Sequence, residues 1–176
     1  MPAYDRAVSP LVYKGTAANL IARFKNGHPH VGRYFSELIA EKVKELPKVD
    51  GIVYVPMTKK AERKRGYNQA ELLADALSGL TGIPVLRGAV QKHKDTPTQK
   101  NLPRAVRLKN LQNAFKVDKN AVMGRVLLVV DDVMTTGGTL DSMSESLKRA
   151  GAQKVFAVTA ASVEYGTVDA ASIIRK

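Results

Sequence analysis

Residues 126–130 read Val-Leu-Leu-Val-Val, apolar at every position, and the run stops at two carboxylates, Asp131 and Asp132. A strand that is apolar on both alternating faces has to be covered on both. That is the pattern of a parallel sheet between layers of helix. The pattern recurs in Ile52–Val55, bounded by Gly51 and Pro56, and again in Lys154–Ala161. Ile83–Leu86 is expected as a further strand. Helical spacing fills the intervals. The segment YNQAELLADALSGLTG predicts a helix capped by Asn68, with Glu71 three residues on. Its inward stripe is Leu72, Leu73, Ala76, Leu77 and Leu80, and Gly82 supplies the left-handed end. The segment TLDSMSESLKRAG predicts another, with Leu140, Met143, Leu147 and Ala150 inward. Asp141 in its first turn and Lys148 and Arg149 in its last suit the helix dipole.

The N-terminal region reads as helical. Leu20, Ile21 and Phe24 share one face, and Val31, Phe35, Leu38, Ile39, Val43 and Leu46 share the next. A short helix is expected over 103–115, with Ala105, Leu108 and Leu111 inward. Strands alternating with helices imply right-handed βαβ units and an open, mainly parallel α/β sheet. The 176 residues suit one domain: an N-terminal helical part over 1–48, a core over 49–161 and a tail over 162–176.

Open parallel sheets bind ligands beyond the carboxyl ends of their strands, and VVDDVMTTGGT lies at such an end. Its parts suit a sugar phosphate. Gly137 and Gly138 allow backbone amides close to an anion. Thr135, Thr136 and Thr139 offer hydroxyls, and the following helix begins where its unpaired N–H groups and dipole favour a phosphate. Asp131 and Asp132 would repel that phosphate but can accept hydrogen bonds from a vicinal diol. Diol beside phosphate describes ribose 5-phosphate. Two other readings apply to such a pair: a metal site of the response-regulator or phosphatase kind, and a solvated strand-to-helix turn. The chain has no G-x-x-x-x-G-K-[ST] loop.

Charge narrows the partners. Lys and Arg number 28 against 16 acids, a net charge of +12. The excess is clustered, in KKAERKR (59–65) and again over Lys92–Lys109, which favours phosphate-rich ligands. The first cluster is expected in a loop after Val55. The polar, basic stretch QKHKDTPTQKNLP is expected as a long loop and a candidate lid. There is no cysteine, which fits a reducing compartment. No apolar stretch reaches the ~20 residues of a membrane helix, and MPAYDRAVSP does not read as a signal peptide. A cytoplasmic protein without membrane contact is the expectation.

VVDDVMTTGGT resembles the phosphoribosyl-pyrophosphate (PRPP) motif of type I phosphoribosyltransferases. VPMTKKAERKRGYNQAELLADAL resembles the Val-Pro, basic stretch and Arg-Gly-(Phe/Tyr)-Asn-Gln-Ala pattern of their ComF-type, competence-associated branch. TPTQKNLPRAVRLKNLQNAF is similar to that branch's Thr-Pro-x-Gln segment, and YKGTAANLIARFK to its early helix. The four-cysteine zinc ribbon with which many such proteins begin is not in this sequence.

The resemblance implies the type I phosphoribosyltransferase fold and PRPP accompanied by Mg²⁺. It implies contacts from Asp131 and Asp132 to the ribose hydroxyls, as the catalytic pair, and from Thr135, Thr136, Gly137, Gly138 and Thr139 to the 5-phosphate. Lys59, Lys60, Arg63 and Arg65 would face the pyrophosphate, and Lys92, Lys94, Gln99 and Arg104 would belong to a flexible loop. The metal would arrive on PRPP, with no direct protein ligand expected. The implied activity is phosphoribosyl transfer to a nitrogenous acceptor, in the setting of DNA uptake and natural transformation, with single-stranded DNA and a helicase-like competence protein as partners. The alternative is a module that binds PRPP, nucleotide or single-stranded DNA without turnover. The acceptor and self-association stay open.

Overall fold

The computed structural model describes residues 1–92, 114–163 and 168–169. Among them run β1 (Arg6–Val8), β2 (Leu11–Val12), α1 (Gly15–Lys25), α2 (Val31–Val43), β3 (Gly51–Tyr54), α3 (Lys59–Arg65) and α4 (Gln69–Thr81). β4 (Val90–Lys92), β5 (Phe115–Val117), α5 (Lys119–Val122), β6 (Val126–Met134), α6 (Gly138–Arg149), β7 (Lys154–Ser162) and β8 (Val168–Asp169) follow. The main sheet has the order β3-β6-β7-β1-β8, with β2 also on β7. All its pairs are parallel except β1 with β8. β4 and β5 form a separate antiparallel ribbon.

The alternation of the apolar strands explains the layers. Ile52, Leu128, Val130, Phe156 and Val158 point to one face, where α1, α2 and α4 bring Ile21, Phe24, Phe35, Ile39, Leu73 and Leu77. Val53, Leu127, Val129, Val155 and Ala157 point to the other, against Leu140, Met143 and Leu147 of α6 and Val90 and Phe115 of the ribbon. Each fully buried leucine of α4, Leu73 or Leu77, contributes about 2 kcal/mol. Leu80, expected inward, is 54% exposed.

The structure corrects further expectations. The N-terminal part is not only helical: β1 and β2 lie along β7 in one continuous register, Val8 opposite Val158 and Leu11 opposite Ala161. Pro10 falls in the gap between them, where a residue without an N–H interrupts the ladder. Within the tail, β8 pairs antiparallel with β1. Ile83–Leu86 makes a single bridge, Val85 to Ile52, rather than a strand. The basic stretch after Val55 is the helix α3 rather than a loop. Thr58 caps it by accepting from the Ala61 amide, Glu62 sits in its first turn, Arg63, Lys64 and Arg65 in its last, and Gly66 ends it at φ 90°. Lys92, expected in a flexible loop, closes β4 opposite Phe115. Of the helix expected over 103–115, residues 103–113 lie outside the described residues, and Phe115 is in β5.

Asn68 caps α4 as expected, its Oδ1 accepting from the Ala70 amide at 3.0 Å. Glu71 does not complete a capping box. It accepts instead from the Tyr54 hydroxyl at 2.9 Å and pairs with Arg87 at 3.2 Å.

Candidate functional site

The strand β6 outruns its apolar stretch and carries Asp131 and Asp132 within it, up to Met134. Alternation, continued from Val129 and Val130, aims the two carboxylates at opposite faces. Asp131 falls on the α6 side. It lines a small pocket of about 40 Å³ with Thr135, Thr136, Gly137, Gly138 and Thr139. Asp132 falls on the side of α1, where its Oδ2 meets the Lys25 Nζ at 3.0 Å. The Asp132 amide also donates to Asp131 Oδ1 at 2.8 Å.

The loop after β6 turns directly into the start of α6. Gly137 adopts φ 73° at the start of α6, a left-handed conformation that glycine takes without strain. A Cβ there would stand 3.3 Å from the Tyr4 hydroxyl. Among the described residues, no side chain caps the α6 N-terminus. Asp141, in its first turn, is turned away to accept from the Ala3 amide. The first amides of α6 therefore face the loop with their dipole unopposed by a cap. Thr135, Thr136 and Thr139 are exposed.

The electrostatics of Asp131 are unusual. Burial first, then the neighbouring Asp132 carboxylate, push its carboxyl up to about 7. The Asp132 amide, Lys25 and Lys92 pull the other way without prevailing. Lys92 is thus brought within electrostatic reach of Asp131 from β4.

The basic helix α3 adjoins this strand end. β3 pairs in register with β6, Tyr54 opposite Val130, and the Val55 amide donates to the Val130 carbonyl at 3.0 Å. α3 begins four residues beyond Val55, with Lys59, Lys60, Arg63 and Arg65 all exposed. Arg65 is partly engaged, donating to Gln69 Oε1 at 2.8 Å. Gln69 itself is 2% exposed, and the Asn68 amide donates to the Val55 carbonyl at 3.1 Å, locking α4 to the same strand end. Lys94, Gln99 and Arg104 lie outside the described residues.

Lys25 is the charged group that the sequence reading missed. Its place in the last turn of a helix already has an explanation in the helix dipole, so no local signal marks it. A larger cavity, about 820 Å³, opens between α2 and α4 beside Val49 and Asp50. It sits at the amino ends of the strands, the wrong end of an open sheet for its ligand.

The chain is similar to proteins of one family. A family model described as a phosphoribosyl transferase domain matches residues 63–172. Competence protein F of Haemophilus influenzae is 35% identical over 163 residues, covering 88% of this chain and 71% of that protein. The DNA utilization protein YhgH of Escherichia coli K12 is 32% identical over 161 residues, 88% of this chain and 70% of that one. The protein of the same name from Salmonella typhi is 36% identical over 118 residues, 67% of this chain but 52% of its own length. Among solved structures, the glutamine phosphoribosylpyrophosphate amidotransferase of B. subtilis aligns with a TM-score of 0.50 at 19% identity. The alignment covers 73% of this chain and 26% of that one. An allosteric regulatory enzyme of purine biosynthesis aligns at 0.51 and 21% identity, with the same coverage. These last two likenesses establish the fold alone. Among the described residues, no helix is long and apolar enough to cross a membrane.

Proposed function

This chain belongs to the ComF-type branch of the phosphoribosyl transferase domain family, and on that premise we propose that it binds PRPP and transfers its phosphoribosyl group to a nitrogenous acceptor. One observation carries the reading: a carboxylate and a Thr/Gly loop line one pocket at the carboxyl end of a central strand, beside an uncapped helix start. The 5-phosphate would take the amides and hydroxyls of Thr135–Thr139. The ribose hydroxyls would donate to Asp131 and Asp132. In the reaction, the bond from the anomeric carbon to pyrophosphate breaks, and pyrophosphate leaves with the electron pair. A carbon–nitrogen bond to the acceptor forms in its place.

Lys59, Lys60, Arg63 and Arg65 on α3 would stabilise the charge that grows on the leaving group. Mg²⁺ arriving with the ligand would supply further charge neutralisation beside these cations.

A second reading has its own observation. α3 has no buried residue, and with Lys64 it presents five cations to solvent. A helix of that kind suits a nucleic-acid backbone, and DNA uptake would be its setting.

Calorimetric titration with PRPP and Mg²⁺, alongside a pyrophosphate-release assay over a panel of bases and amines, tests both. The expected result is binding that falls about tenfold or more in Asp131→Asn/Asp132→Asn, since a charged hydrogen bond contributes about 1.5–3 kcal/mol. Release should vanish with it. Unchanged affinity in the double variant overturns the assignment, and binding without release across the panel favours the second reading.

A further inference from the structure

Among the described residues, one cation is in direct contact with the acidic pair, and it comes from a helix more than a hundred residues earlier in the chain. Lys25 Nζ lies 3.0 Å from Asp132 Oδ2, with side-chain exposures of 34% and 13%. A pair this withdrawn from water keeps more of its attraction than an exposed one. We propose that Lys25 is a positioning residue of the sugar subsite, the counter-ion that holds the Asp131–Asp132 pair ready to accept a diol. The proposal rests on the sugar-phosphate reading above and adds a residue and a regulation to it.

Two adjacent carboxylates cannot both stay charged in a partly dry site without help. Charged carboxylates are the stronger acceptors for hydroxyls. The groups around the pair are few. Asp132 neighbours Asp131 on the same strand. Lys25 stands over the pair from α1 and Lys92 from β4. From β7, neutral Thr159 stands opposite Asp131. On α6, Asp141 is occupied by the Ala3 amide, and on β3, Tyr54 is tied to Glu71. Burial and mutual repulsion favour protonation, and Lys25 and Lys92 oppose it. Removing Lys25 therefore leaves Lys92 alone against both. The pair would hold its proton to higher pH, and diol binding would weaken most where that proton is retained.

The test compares the full chain with Lys25→Met, Lys25→Gln and Lys25→Arg. Carbon-13 NMR of the aspartate carboxyls follows the titration in the free protein. Calorimetry with ribose 5-phosphate, which has the diol and phosphate but no pyrophosphate, follows binding at pH 6.5 and pH 8.5. In the Met and Gln variants the coupled carboxyl titration should move up by about one pH unit, and Arg should restore it. Ribose 5-phosphate affinity should fall about fivefold or more at pH 6.5 and under about twofold at pH 8.5, because high pH ionises the pair without the lysine. An unmoved carboxyl titration overturns the proposal. So does an affinity loss equal at both pH values, which would mark Lys25 as a direct contact or a purely structural residue. A wild type that binds neither ribose 5-phosphate nor PRPP with Mg²⁺ overturns the sugar-phosphate reading instead. The carboxyl titration still decides the counter-ion role in that case.

Discussion

Asp131 shows at a single residue how a binding site works against the fold that carries it. Burial above all pushes its carboxyl up to about 7 in the folded protein, from 3.8 ordinarily. Between those values the folded chain holds a proton that the unfolded chain has released. Stability therefore falls as pH rises through that window, and the cost is fully present above about pH 7. Asp131→Asn should stabilise the protein at pH 8 by about 1–2 kcal/mol, a discounted figure because the site is partly open to water. It should do little at pH 4. Thermal denaturation at the two pH values checks this. The expected rise is about 3–6 °C at pH 8, and an equal rise at pH 4 would contradict the burial argument.

At the scale of elements, the site is held where α4 and α6 begin. Asn68 works at both ends of its amide, capping α4 with Oδ1 and tying it to the Val55 carbonyl with Nδ2. Asn68→Ala should cost about 1–2 kcal/mol by chemical denaturation, while Asn68→Asp should recover the cap but not the strand contact. Gly137 does the equivalent work at α6. Gly137→Ala puts a Cβ at φ 73° and 3.3 Å from the Tyr4 hydroxyl. A backbone shift that relieves both would move the first amides of α6. A loss of about 1 kcal/mol in stability is expected, with a larger relative loss in ribose 5-phosphate affinity. A stability loss with affinity intact would separate the loop's conformation from phosphate binding.

At the scale of the whole molecule, the charge of +12 favours the anionic ligands proposed above. If single-stranded DNA binds along α3, each phosphate contact releases counter-ions, and log affinity falls with log salt by about 0.7 per contact. Lys59→Ala with Lys60→Ala should flatten that slope by about 1.4, and saturating PRPP should compete. An unchanged slope would place the DNA elsewhere. Much of the fold was legible because its signals are local. Continuous apolar runs marked β3, β6 and β7, and helical periodicity marked α1, α2, α4 and α6. Capping chemistry placed Asn68 and Gly82 where they stand. The Asp-Asp and Thr/Gly run announced a cradle from its own residue types. α3 had its signals too, with Thr58, Glu62 and Gly66 in place, but the density of charge masked them. What tertiary structure alone decided depends on partners distant in the chain. β1 is three residues beside a proline, and it is a strand because β7 offers it a parallel edge. Glu71 had a local use at the start of α4, and the Tyr54 hydroxyl and Arg87 outbid it. Lys25 belongs to the site because the fold lays the end of α1 over the face of β6 to which Asp132 points. Local sequence determines what each segment can become, and long-range packing determines which charges meet.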